Sequence, residues 1–137
     1  MQTRVPKGVL VGVALLFAAV PAMAHHAFSA EFDGNQPITL HGTITKMEFV
    51  NPHTWIFIDV KNPDGQVVNW AIEAGAPNAL IRRGWRADSL KPGEEISVEG
   101  YRAKNGTTKA NGKNITLPDG RTLFAGSSGT GAPYDKK

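Results

Sequence analysis

Alternating apolar and polar residues predict a chain built mainly of strands. Ile38 to Val50 is rich in Thr, Ile and Val and reads as a long first strand. Its Gly42 is the expected site of the bend or bulge that a small barrel requires there. From His53 to Val60 the alternation sharpens. Thr54, Ile56, Ile58 and Val60 share one face, whereas His53, Trp55, Phe57 and Asp59 share the other, and the aliphatic face is the expected core side. Asn62-Pro63-Asp64-Gly65 follows as a turn, because Pro presets one dihedral and Gly accepts positive φ. Val67 to Ala74 should therefore pair back as a hairpin, with Val68, Trp70 and Ile72 on one face.

After Gly75-Ala76 the periodicity changes to that of a short helix, Pro77 to about Arg83. Pro suits the first turn, Leu80 and Ile81 supply an apolar stripe, Arg82 and Arg83 complement the C-terminal dipole, and Gly84 fits the cap. Lys91-Pro92-Gly93 turns into a strand from Glu94 to Arg102, and Pro118-Asp119-Gly120 joins a final pair, Asn114 to Leu117 and Arg121 to Phe124. A helix between the third and fourth strands predicts a mainly β fold: an OB-like, five-stranded, partly open barrel. An immunoglobulin-like sandwich would need about seven strands and no central helix. Trp70 and Trp85 are expected to be structural, Trp85 as a plug at one end of the barrel.

The first residues follow a different pattern. Arg4 and Lys7 precede the apolar run Val9 to Val20, and Ala22-Met23-Ala24 matches a signal-peptidase site. The run is too short to span a bilayer, which takes about 20 apolar residues. The expected organisation is a signal peptide over residues 1–24, one domain over 25–125 and a flexible, Gly- and Ser-rich tail over 126–137. Such a protein would be periplasmic or secreted, with no stable membrane insertion after cleavage. Export also changes the charge. The 15 basic and 12 acidic residues give +3, but Arg4 and Lys7 belong to the signal, leaving 13 against 12. Nucleic acid is therefore not an expected partner. With 0 cysteines the chain can form no disulfide and carry no lipid on a cysteine.

His25-His26-Ala27-Phe28, Asn51-Pro52-His53-Thr54-Trp55, Asn69-Trp70, Arg83-Gly84-Trp85 and Pro118-Asp119-Gly120-Arg121 are spread across the expected domain. Together they resemble a family of small exported bacterial proteins classed as a domain of unknown function. The resemblance implies export and a small barrel-like domain, and carries no site residues with it.

The chemistry must come from the residues themselves. Cleavage after Ala24 would leave His25 and His26 at the new terminus, where a free α-amine and an imidazole can chelate one metal ion. Nitrogen donors favour copper(II) among the divalent metals. His53 and His41 are the other histidines, and a closed site would draw on them or on Glu31 and Asp33. The expected function is a non-enzymatic module binding copper(II) or another divalent metal. The alternative is a protein, peptide or glycan on the face made by His53, Trp55, Phe57 and Asp59, since barrels of this kind bind elongated ligands around strands two and three. The partner would be a periplasmic protein or a small ligand. The Phe28 to Phe32 segment or the last strand is a candidate cover for that face. No cysteine nucleophile, Gly-x-Ser-x-Gly elbow or phosphate loop points to an enzyme.

Overall fold

Residues 28–126 are described by a computed structural model. Among them are six strands: β1 (Phe32–Glu48), β2 (Trp55–Lys61), β3 (Val67–Glu73), β4 (Glu95–Ala103), β5 (Lys109–Thr116) and β6 (Thr122–Phe124). Helix α1 (Pro77–Arg82) lies between β3 and β4, and residues 28–31 form a helical turn ahead of β1. The strand order is β3-β2-β1-β4-β5-β6, with a further pairing of β3 to β5.

Sequence neighbours β1-β2, β2-β3, β4-β5 and β5-β6 pair antiparallel, as does β1 with β4, whereas β3 and β5 run parallel. That parallel seam is short: Ala71 opposite Lys109, Ile72 opposite Ala110, and Glu73 opposite Asn111. The result is the expected OB-like ring, partly open because the first half of β3 has no partner on that edge. β1 closes the other side by serving two neighbours. Its residues 37–43 pair with β4 and 43–48 with β2, so the strand changes partner at Thr43.

The β1-β2 register slips between Ile44 and Lys46, two to four residues beyond the predicted site at Gly42. Gly42 serves a related purpose: a Cβ there would lie 2.6 Å from the Asp59 carbonyl oxygen, so its absence lets β2 approach. The hairpin turn forms as expected, with Gly65 at φ 86°. β1 begins at Phe32 and β5 at Lys109, earlier than the sequence pattern predicts. The final hairpin therefore adds a sixth strand outside the five-stranded ring.

The inward face of β2 is the predicted one, with Thr54, Ile56 and Ile58 all at 0 % exposure. Ile56 and Ile58 pack with Leu40, Ile44, Ile72, Val98 and Ile115 in a single core. Trp70 is buried, and so is Trp85 just after α1, its backbone N–H donating to the Leu80 carbonyl and its Nε1–H to the Phe124 carbonyl at 3.1 Å. Gly126 departs from the predicted tail: it is buried, and its carbonyl accepts a hydrogen bond from Arg83. Residues 127–137 and the predicted signal peptide lie outside the described residues. Among the described residues no helix is long and apolar enough to cross a membrane.

Candidate functional site

The hairpin turn fixes which residue stands beside Trp55. With Lys61 opposite Val67, counting back along both strands puts Trp55 opposite Glu73. The parallel seam then sets Glu73 opposite Asn111. Trp55, Glu73 and Asn111 thus form a row across β2, β3 and β5, and His53 enters just ahead of β2. The Asn51-Pro52 bond preceding it is cis.

His53 Nδ1 faces Glu73 Oε1 at 3.6 Å, too long for a hydrogen bond. The Glu73 side chain is only 13 % exposed and that of His53 39 %. Because Nδ1 itself is buried and without a hydrogen-bond partner, the Nε2 edge is the nitrogen edge left to face outward. Asn111 is buried at 2 % exposure, and its Oδ1 also lacks a partner. On the outer side, Lys109 Nζ pairs with Glu31 Oε2 at 2.6 Å and sits over the rings of Trp55 and Phe32, 5.3 and 5.6 Å from their centroids. Phe28 packs on Phe32 and edge-on to Tyr101. The segment from Phe28 to Phe32 therefore covers part of the barrel wall, with Lys109 as its link to Trp55.

Burial pushes the Glu73 carboxyl above its ordinary 4.5. His53 opposes that rise, the negative charge of Glu31 adds to it, and Lys109 and a hydrogen bond from Asn111 also oppose it. The sign for stability follows directly. Between the unfolded and the raised folded value, the native state binds more protons than the unfolded chain, so stability falls as pH rises through that window. Above it the cost of a buried carboxylate is fully present. Glu73→Gln should consequently melt at a higher temperature than the parent at pH 7, with the difference closing as pH falls below 4.5. Thermal melts across that range check it; a difference independent of pH would remove the charge from the explanation.

The predicted site residues divide into separate groups. His25 and His26 lie outside the described residues. His53 and Trp55 belong to the row just described. His41 does not join them: it is exposed on β1, two residues before the Thr43-Asp59 pair, whereas His53 lies beyond the Glu48-Trp55 pair. At about 3.3 Å per residue the two histidines stand roughly 25 to 30 Å apart along the barrel wall, so one metal cannot take both. Phe57 and Asp59 share the outer face as predicted, but Lys46 lies over Phe57, 5.8 Å from its centroid, and Asp59 accepts from Asn69 Nδ2 at 2.8 Å. Trp55, Phe57 and Asp59 on the predicted ligand face thus each have a partner from within the chain. Among the described residues no three His, Cys, Asp or Glu side chains converge as a metal site.

Glu73 could have been placed beside Trp55 from the turn alone. Asn111 and Lys109 could not, because a parallel pairing between distant strands leaves no local mark.

Residues 13–113 match a family described only as of unknown function, DUF6152. No curated protein matches the chain.

Proposed function

The chain belongs to DUF6152, a family of unknown function, and from that premise we propose that it is an exported, non-enzymatic binding module for a divalent metal, copper(II) first. Its ligands are the α-amine and imidazoles of a terminus beginning at His25, joined by His53 on the folded domain. His41 has no part in this site.

The His53-Glu73 pair is the observation that carries the proposal. Histidines that bind metal commonly turn their second ring nitrogen toward a carboxylate, which fixes the tautomer and raises ligand basicity. His53 turns Nδ1 toward Glu73 at 3.6 Å, the same direction but short of a hydrogen bond, so a small ring rotation would complete the arrangement. Chain length supports the partnership. Glu31, held by Lys109 at the rim of the same row, is five residues after His26, so at most about 18 Å of extended chain separates them. Imidazole and amine donors favour copper(II) by the ordinary order of divalent affinities.

Calorimetric titration of copper(II) into the exported protein, its start verified by intact mass, is the test. One-to-one binding is expected. Three alanines added before His25 should weaken it at least tenfold by moving the α-amine out of chelating reach of the imidazoles, and His53→Ala should weaken it about tenfold. Circular dichroism would verify that both variants are folded. Affinity unchanged in both would sink the proposal; loss in the extended protein alone would leave a terminal chelate without the folded domain.

A further inference from the structure

A cleft lies away from the His53 row, where β1 passes between the end of β2 and the start of β4. Its volume is about 510 Å³, within the usual range for small-ligand sites. Buried Ile96 and Leu117 supply apolar lining, and His41 and Ser97 stand beside them. Opposite charges occupy its two flanks: Lys61 on β2 and Glu95 on β4. Both are exposed, and neither has an ion pair among the described residues. Asp59, the other acid in the lining, already accepts from Asn69.

We propose that this cleft binds a short zwitterionic peptide, its carboxylate at Lys61 and His41 and its ammonium group at Glu95. β2 and β4 are two strand intervals apart, roughly 9 to 10 Å. An extended di- or tripeptide, at about 3.3 to 3.6 Å per residue, carries its end charges over a comparable span. A single amino acid places both charges on one carbon and cannot reach both flanks. The apolar lining of Ile96 and Leu117 suits a small aliphatic side chain, and the Ser97 hydroxyl can hydrogen-bond the peptide backbone. Electrostatic complementarity at both ends then selects free termini over capped ones.

The experiment is a nuclear magnetic resonance titration of the protein with trialanine, in the presence of a chelator so that metal plays no part. Saturable shifts are expected at the amides of His41, Lys61, Glu95 and Ser97. Lys61→Met and Glu95→Gln should each weaken binding at least tenfold, as should acetylation or amidation of the peptide, while His53→Ala should change nothing. Both substitutions are on exposed side chains, and retained amide dispersion would verify folding. Absence of saturation up to about 10 mM, a concentration where even weak complexes form, would overturn the proposal. Equal binding of capped peptides would overturn it too. Because His53→Ala tests the metal site separately, the two proposals fail by different results.

Discussion

Trp85→Ala is expected to lower stability by about 3 to 5 kcal/mol, the range for truncating a large buried aromatic. Trp85 is 1 % exposed and packs in the same core as Leu80 and Leu90. Its backbone N–H donates to the Leu80 carbonyl at 3.0 Å, which ties it to the end of α1. The indole N–H donates to the Phe124 carbonyl, which ties the last strand to the same plug. Alanine would open a cavity and release that carbonyl at one stroke. A domain of this size has roughly 5 to 15 kcal/mol in total, so the variant should lie close to its unfolding threshold. Trp85→Phe separates the two effects. It keeps most of the volume and loses the hydrogen bond, and should cost about 1 to 3 kcal/mol. Urea unfolding of both variants measures the pair; an alanine loss below about 1 kcal/mol would mean that Trp85 does not plug the barrel.

The indole's place was legible because its context is local. A helix ending in Arg82 and Arg83, capped at Gly84, delivers the next side chain back toward the core. The same holds for β2, where alternation alone separates Ile56 and Ile58 from Trp55 and Phe57. It failed for the start of β5. Lys109 to Lys113 reads as Lys-Ala-Asn-Gly-Lys, with low intrinsic preference for a strand. In the fold, Ala110, Asn111 and Gly112 are all buried, in a segment that β4 and β3 pair along both edges. Small residues are what that crowding admits, and the alternation that signals a half-buried strand disappears.

The candidate site divides along the same line. His53 was visible as a histidine entering an aromatic strand, and Glu73 follows from hairpin register. Asn111, Lys109 and the ion pair to Glu31 depend on tertiary contacts between segments about 40 to 80 residues apart in sequence. His41 shows the converse error. Four histidines in a short stretch suggest one site, but a long strand separates its ends by its own length.

Gly100→Ala should be the most damaging single methyl in the barrel wall. Gly100 pairs with Gly112 across β4 and β5, next to a register shift. A Cβ at position 100 would lie 2.0 Å from the Asn111 carbonyl oxygen and 3.0 Å from its carbon, both backbone atoms. Backbone cannot rotate aside as a side chain would, so β5 must move bodily. The strand can retreat little, because a Cβ on Gly112 would itself stand 2.9 Å from the Ile72 side chain, and β3 packs beyond. Overpacking commonly costs about 1 to 3 kcal/mol, and a clash on this backbone should reach or exceed the upper figure. The displacement would carry Asn111 with it and loosen the Glu73 environment. Gly34→Ala is the control: its new methyl would meet only Phe28, at 3.9 Å, and its stability should stay within about 0.5 kcal/mol of the parent. If Gly100→Ala melted with Gly34→Ala, the close β4-β5 approach, and with it the placement of Asn111 beside Glu73, would be wrong.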